Sequence, residues 1–170
     1  MIGETRQPNV GQMAGDGSSN SAVIYEVVEG RVAVVTVNRP LQRNAISTDV
    51  IDGLWRAFRR LEADDTIRVG VLTGCGRHAF CAGMDLKEAA ATGLRVPRRD
   101  LLPVLGDTEH VSKPMIAAVN GAAYAGGCLL AQMCDLCVAA EHSRFAISEA
   151  KVGRGVDSTG RRNTGLRGGF

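Results

Sequence analysis

The apolar and polar positions of the chain follow two periods, one typical of strands and one typical of helices. Val23–Val28 and residues 31–38 are rich in β-branched residues and are separated by Glu29-Gly30, a pattern that predicts two strands joined by a tight turn. After Ser47, a suitable N-cap, apolar residues recur at helical spacing and predict one amphipathic helix; they are Val50, Ile51, Leu54, Trp55, Phe58 and Leu61.

The remaining pattern alternates short strands with helical pieces. Strands are predicted at residues 68–74, 115–119, 136–140 and 145–148, with a helical piece somewhere in 88–111 and a helix from Gly126 or Gly127 to about Met133. This alternation predicts an α/β fold.

Two segments rich in glycine and other small residues interrupt the pattern. They are VLTGCGRHAFCAGMDLK at 71–87 and NGAAYAGGC at 120–128. Small residues allow a ligand to lie against the main chain, so that backbone N–H groups rather than side chains contact it. Two such segments in one small domain predict an oxyanion hole, in which two fixed N–H donors bind a carbonyl oxygen that gains charge.

Four sequence blocks, in this order and at these gaps, resemble the enoyl-CoA hydratase/isomerase (crotonase) superfamily. They are NRP at 38–40 with Asn44-Ala45, AFCAGMDLKE at 79–88, KPMIAAVNGAAYAGGC at 113–128, and MCDLCVAAEHSRFAISEAKVG at 133–153. The resemblance extends from about Val23 to Gly155. It implies an α/β spiral of ββα units, an acyl-CoA thioester substrate, and a role in fatty-acid metabolism.

The resemblance also implies catalytic positions. Carried over by position, the two oxyanion-hole amides belong to Met84 and Gly126. Hydration in the family uses two carboxylates, whose positions fall on Leu129 and Glu149 in this sequence. Leucine cannot transfer a proton, whereas one glutamate suffices to move a double bond, so this combination favours isomerisation over hydration.

Substrate-binding positions follow from the same resemblance. Ala45, Ile46 and Ala82 would line the acyl-CoA through main-chain contacts, and Asp85 and Lys87 lie where the family places the adenine and phosphates of coenzyme A.

Several of these residues also have an interpretation that involves no catalysis or ligand binding. Gly126 and Gly127 could simply allow close helix packing, Lys87 could be a surface lysine beside Glu88, and Glu149 could pair with Lys151 or Arg144 at the surface. Asn44 is expected to hold its loop rather than to touch substrate.

The chain divides by composition into three parts. Residues 1–21 are expected to be a disordered leader and residues 22–151 a crotonase-like acyl-CoA-binding core. Residues 152–170 hold six glycines and four arginines without apolar periodicity, and are expected to be an unrelated disordered tail.

Members of the family continue with helices that build a homotrimer or hexamer, and the tail does not match them. The fold class is therefore expected to be the N-terminal core only, with the trimerisation helices missing. The alternative function is a catalytically inactive truncated remnant or a weak acyl-CoA-binding fragment.

Composition removes several other classes of function. A net charge of +2 without a basic face gives no nucleic-acid signature, and glycine or charged residues interrupt every apolar stretch well short of a membrane span. Five cysteines without a secretion signal favour reduced thiols and a cytoplasmic protein. The lone Cys134–Cys137 CxxC lacks a second close pair, so neither a metal nor another cofactor is expected beyond coenzyme A within the substrate. A GxSxG elbow and a phosphate-binding P-loop are both absent from the sequence.

Overall fold

A computed structural model describes residues 21–92 and 102–147 of the chain. These residues form eight strands and three helices, in the order β1 (Val23–Val28), β2 (Val32–Val37), α1 (Thr48–Ala63), β3 (Val69–Gly74), β4 (Ala79–Cys81), α2 (Leu86–Thr92), β5 (Met115–Val119), β6 (Ala122–Tyr124), α3 (Gly126–Gln132), β7 (Leu136–Ala139) and β8 (Arg144–Ala146). A short 3-10 turn at Pro40–Gln42 precedes α1.

The elements repeat as strand, strand, helix; both strands of the first repeat belong to one sheet, and each later repeat contributes one strand to each of two sheets. The first sheet has the order β1-β2-β3-β5-β7, in which β1 and β2 are antiparallel and the other neighbours are parallel. The second sheet, β4-β6-β8, is parallel throughout. From β3 onward the chain therefore visits the first sheet, then the second, then a helix, and this is the ββα spiral that the resemblance implied.

Helix α1 shows why the sequence folds in this way locally. Ser47 caps it, since its hydroxyl accepts a hydrogen bond from the N–H of Val50 at 3.3 Å. The apolar stripe of α1 is buried against the first sheet, where Phe58, Leu54 and Leu61 are fully enclosed. Alternate residues of β2 point into the same core, as the strand period requires.

Strands β7 and β8 differ from the strands of the core because they expose large apolar side chains. All four residues of β7 are exposed, and among the described residues β7 is the edge strand of the first sheet, next to β5. Leu136 and Val138 on β7, and Phe145 and Ile147 on and after β8, are among the exposed large apolar residues. We refer to these four exposed residues together as the β7–β8 apolar surface.

The predicted strands and helices of the core are confirmed, and most of their ends agree to within one or two residues. Helix α2 lies at the start of the predicted helical piece. Strands β4 and β6 were not predicted, because each has only three residues and lies in a segment rich in glycine and other small residues, where no strand period is visible. The predicted tail at 152–170, and the leader apart from Ser21, lie outside the described residues.

Candidate active site

The starts of α2 and α3 lie next to each other because the strands before them are neighbours. β4 and β6 are parallel and adjacent, so their carboxyl ends lie at the same edge of the second sheet. From β4 the chain reaches α2 through Met84, and from β6 it reaches α3 through Ala125. The two glycine-rich segments of the sequence are thereby brought together.

Gly83 and Gly126 are the points of contact between these segments. A Cβ atom placed on Gly83 would lie 3.6 Å from the nitrogen of Gly126, and 3.0 Å from both the Cβ of Ala125 and the carbonyl oxygen of Tyr124. Gly83 also has a φ of +91°, which side-chain-bearing residues rarely adopt. Glycine is needed here both for the conformation and for the close approach.

The N–H of Met84 has no hydrogen-bond partner among the residues that the structure describes. Met84 forms an isolated parallel bridge with Ile46, in which the Ile46 N–H donates to the Gly83 carbonyl and the Asp85 N–H donates to the Ile46 carbonyl, both at 2.8 Å. Because successive peptide groups of an extended segment point to opposite sides, the Met84 N–H faces away from Ile46.

The N–H of Gly126 is likewise unpaired within residues 21–92 and 102–147, because Gly126 is the first residue of α3. Two N–H groups without an internal partner therefore lie at adjoining positions. Two main-chain N–H donors are also the groups that an oxyanion hole uses.

Ala125 has a strained backbone that fixes the direction of the chain at this point. Its φ of 50° and ψ of −119° match the first central residue of a type II′ turn, a position usually occupied by glycine. Its N–H donates to the Ala146 carbonyl at 2.8 Å, which ties the start of α3 to β8. Sequence reasoning missed Ala125, because an alanine in a run of small residues gives no sign of a positive φ.

Gly126 and Gly127 have different surroundings, so the interpretation as close packing applies to only one of the two glycines. Gly127 packs directly against the backbone carbonyl of Cys81 on β4, so it is the glycine required for close packing. Gly126 faces only the far end of the Ile46 side chain and the Cα of Gly83.

Cys81 on β4 is a buried thiol close to this site. Burial raises its pKa to about 12, against a smaller lowering by a hydrogen bond from the Gly83 N–H. The side chain is therefore a neutral thiol near pH 7 and not a thiolate nucleophile.

The main-chain groups of the predicted substrate-binding residues Ala45, Ile46 and Ala82 already make internal hydrogen bonds. Ala45 donates to the Gln42 carbonyl and accepts from the Arg39 side chain at 2.9 Å, while Ala82 donates to the Arg43 carbonyl at 3.1 Å. Ile46 uses both its groups in the bridge to Met84. The N–H groups of all three residues are therefore occupied, and direct contacts with a ligand fall to side chains or to carbonyl oxygens.

Asn44 holds its loop, as its sequence context predicted. It is fully buried with a φ of 56°, and its side chain accepts from the Arg39 N–H and donates to the carbonyls of Cys75 and Ala79.

Asp85 makes contacts within the protein. Its carboxylate forms an ion pair with Arg39 at 3.0 Å and accepts a hydrogen bond from the Glu88 N–H at the start of α2. Desolvation pushes the pKa of Asp85 upward, but the hydrogen bonds from Glu88, Arg39 and Lys87 and the charge of Arg39 together hold it below its ordinary value.

Lys87 is exposed at the start of α2. The carboxylate of Glu88 accepts hydrogen bonds from the N–H and hydroxyl of Thr48, and the ion pairs of the described residues do not include one between Lys87 and Glu88. The position of Lys87 agrees with a surface role and leaves its amine accessible to an anionic ligand.

Of the two positions that carry carboxylates in the family, the structure describes one. Leu129 lies about one turn beyond Gly126 in α3 and is half-buried. Glu149 lies outside the described residues, so its predicted catalytic role stays a prediction.

The parts of the chain that the structure describes hold no group of three or more His, Cys, Asp or Glu side chains placed to bind a metal ion. The five cysteines are free thiols, and Cys137 is exposed on β7 rather than buried. Within the described residues, every helix is too short or too polar to cross a membrane.

Comparison with known families gives a direct result. The enoyl-CoA hydratase/isomerase family model matches residues 28–163 of the chain. The chain therefore belongs to the enoyl-CoA hydratase/isomerase family, as the four sequence blocks indicated.

Individual relatives agree with this result. The chain is 42% identical over 130 residues to enoyl-CoA hydratase EchA19 of Mycobacterium tuberculosis. The aligned region covers 72% of this chain and 48% of the relative. The chain is 37% identical over 130 residues to the short-chain-enoyl-CoA hydratase of Clostridium acetobutylicum, covering 74% of this chain and 49% of the relative. The chain thus spans about half the length of the curated relatives it matches.

A solved structure confirms the fold. The crystal structure of enoyl-CoA hydratase EchA1 from Mycobacterium marinum superposes with a TM-score of 0.72 at 41% sequence identity, covering 83% of this chain and 54% of that one. The predicted crotonase-like fold is therefore correct for the part of the fold that the chain covers.

Proposed function

We propose that the protein binds an acyl-CoA thioester with its carbonyl oxygen between the N–H groups of Met84 and Gly126. The observation that supports this proposal is the contact of Gly83 with Gly126, beside which lie two N–H groups that have no hydrogen-bond partner in the part of the chain that the structure describes. Family membership supports the substrate class.

The chemistry of a thioester explains why two fixed donors are useful. When a proton leaves C2, the electron pair of that C–H bond forms a C1–C2 double bond and the carbonyl oxygen becomes an enolate oxygen. Two preorganised N–H groups stabilise the charge that develops there, and the loss of one such donor typically costs about 10²–10³-fold in rate. The buried glycines and the Ala125 turn hold the donors in place before the substrate arrives.

The proposed reaction is isomerisation of a C3–C4 double bond to the conjugated C2–C3 position. Glu149 would take the proton from C2 and return it at C4, while the thioester oxygen carries the negative charge between the two steps. This needs one carboxylate, and Leu129 at the other carboxylate position of the family cannot supply a second.

The test is the conversion of a 3-enoyl-CoA into its conjugated isomer, measured by the rise in ultraviolet absorption of the conjugated thioester. Glu149→Gln should abolish turnover while leaving thioester binding nearly unchanged. Glu141→Gln, on an exposed glutamate eight residues earlier, is the matched control and should keep full activity. Equal turnover in Glu149→Gln would remove Glu149 from the mechanism.

Hydration is the second candidate, because the relatives named above are called hydratases. If only a carboxylate is missing, Leu129→Glu should raise the hydration of a short 2-enoyl-CoA. A variant that folds and binds the thioester but gains no hydration would show that more than this carboxylate is absent.

The alternative without catalysis is an inactive remnant or a weak acyl-CoA-binding fragment. It is favoured by the β7–β8 apolar surface, since exposed apolar patches promote association of partly covered folds. Gel filtration and thermal melting separate the alternatives. A cooperative melt with a defined trimer or hexamer supports the enzyme, and an aggregate that binds a hydrophobic dye supports the remnant.

A further inference from the structure

The ion pair between Arg39 and Asp85 lies directly behind the bridge that holds Met84. One nitrogen of Arg39, Nη1, donates both to the Asp85 carboxylate at 3.0 Å and to the Ala45 carbonyl at 2.9 Å. Ala45 precedes Ile46 and Asp85 follows Met84, so a single guanidinium connects the two segments of the Ile46–Met84 bridge.

The bridge itself contains only two backbone hydrogen bonds. They are the bonds from Ile46 N–H to the Gly83 carbonyl and from Asp85 N–H to the Ile46 carbonyl. Among the described residues, one further backbone bond, from Ala82 N–H to the Arg43 carbonyl, joins the same two segments. Backbone hydrogen bonds of this kind each contribute little net stability, because the unfolded chain makes equivalent bonds to water. With so few backbone bonds, a side chain that joins the two segments next to Met84 adds directly to what keeps them in register.

The surroundings of Arg39 make it suitable for this task. Its main chain is fixed, because its N–H donates to the buried Asn44 side chain and its carbonyl accepts from the Asn44 N–H. The side chains of Arg39 and Asp85 are only 21% and 15% exposed, so solvent weakens their attraction less than at an open surface. Asp85 is also anchored at the start of α2 through the Glu88 N–H.

We propose that Arg39 and Asp85 are positioning residues, which hold the Met84 N–H at the place where the thioester oxygen of the substrate lies. The inference rests on the proposed oxyanion hole and extends it: Asp85 acts through Arg39 and the main chain instead of binding coenzyme A. Neither side chain needs to touch the substrate.

The test uses the full chain and three variants. Arg39→Met removes the guanidinium, and Asp85→Asn removes the charge while keeping an oxygen that can accept from Glu88. Arg59→Met is the matched control, because it breaks an ion pair of similar length, Arg59–Glu109 at 3.2 Å, away from the site.

The first measurement is amide hydrogen exchange, which requires no ligand. Arg39→Met should speed exchange at the Ile46 and Asp85 amides at least about tenfold, while the Arg68 amide, bonded to the Arg31 carbonyl, stays unchanged as an internal reference. Unchanged protection of Ile46 and Asp85 would overturn the inference.

The second measurement is the absorption of a bound conjugated aryl-enoyl thioester of coenzyme A, which shifts to longer wavelength when its carbonyl oxygen is polarised. Arg39→Met and Asp85→Asn should reduce the shift at saturating ligand. In the isomerisation assay, both variants should lower kcat about 10- to 100-fold, with KM changed less than about threefold. Arg59→Met should change none of these quantities. A full shift in Arg39→Met would overturn the positioning role.

The two measurements distinguish the two possible failures. If the unmodified protein binds the thioester without any shift, the proposed oxyanion hole is wrong, and the positioning role fails with it. If the unmodified protein shows the shift and Arg39→Met shows it equally, only the inference about Arg39 and Asp85 is wrong.

Discussion

Gly127 packs against the backbone carbonyl of Cys81 more closely than any side-chain-bearing residue could. This contact sets the first turn of α3 directly on β4. Because Gly126 precedes Gly127 and β4 leads to Met84, the same contact sets the distance between the two proposed donors. The packing of one helix turn on one strand therefore determines the geometry of the site.

Gly127→Ala is expected to destabilise the fold strongly. The added Cβ would meet backbone atoms of Cys81, which cannot move aside as a flexible side chain can, and a cost of about 3 kcal/mol or more is expected. Urea denaturation would measure the change in unfolding free energy. Gly30→Ala is the control: with a φ of +67° and nothing within 4 Å of the new Cβ, it should cost only about 1–2 kcal/mol. Equal stability of Gly127→Ala and the unmodified protein would contradict the packing described here.

Ala125→Gly is expected to stabilise the protein. Relief of a positive-φ conformation gains about 1–3 kcal/mol, and the greater freedom of glycine in the unfolded chain costs about 0.5–1 kcal/mol, so a net gain near 1 kcal/mol is expected. The midpoint of thermal unfolding should rise. Ala90→Gly, at an exposed position of α2 without this strain, should instead lower stability by up to about 1 kcal/mol. A loss of stability in Ala125→Gly would show that the alanine methyl contributes more than the strain costs.

The sequence predicted the long elements for physical reasons. The stripe of α1 and the β-branched runs of β1 and β2 bury enough apolar surface for their period to be visible in the sequence. Asn44 was correctly expected to hold its loop.

Other features depend on tertiary contacts that a linear pattern does not contain. Strands β4 and β6 have three residues each, too few to show a period, and their pairing exists only because they lie side by side. The positive φ of Ala125 and the pairing of Arg39 with Asp85, 46 residues apart, have no local signal. The interpretation of Asp85 as a ligand for coenzyme A followed from position in a motif, whereas its contacts within the chain became visible only in the structure.

Lys113→Met is expected to weaken the carboxyl end of α1. The ammonium group of Lys113 donates to the carbonyls of Leu61, Glu62 and Asp64 at 2.6, 3.2 and 2.5 Å, which satisfies groups that have no partner within the helix. The loss should be about 1.5–3 kcal/mol, measured by denaturant unfolding. Lys87→Met, at an exposed lysine, should change stability by less than about 0.5 kcal/mol. Similar small effects of the two substitutions would mean that water replaces Lys113 at the helix end.

The ion pair of Asp85 predicts a pH-dependent contribution to stability. The folded-state pKa of Asp85 lies below its ordinary value, so the folded protein binds this proton less readily than the unfolded chain does. The stabilisation is therefore present above the unfolded pKa of about 3.9 and is lost as the pH falls through the lower folded pKa.

Asp85→Asn should accordingly be less stable than the unmodified protein near neutral pH, by about 1 kcal/mol for a pair that is partly open to solvent, and the difference should shrink at strongly acid pH. Unfolding midpoints in urea, measured over a series of pH values, test this directly. A double-mutant cycle assigns the effect, because in the Arg39→Met background the pH-dependent part of the Asp85→Asn difference should be smaller. If the difference between Asp85→Asn and the unmodified protein stays constant with pH, the carboxylate contributes through its hydrogen-bond geometry and not through its charge.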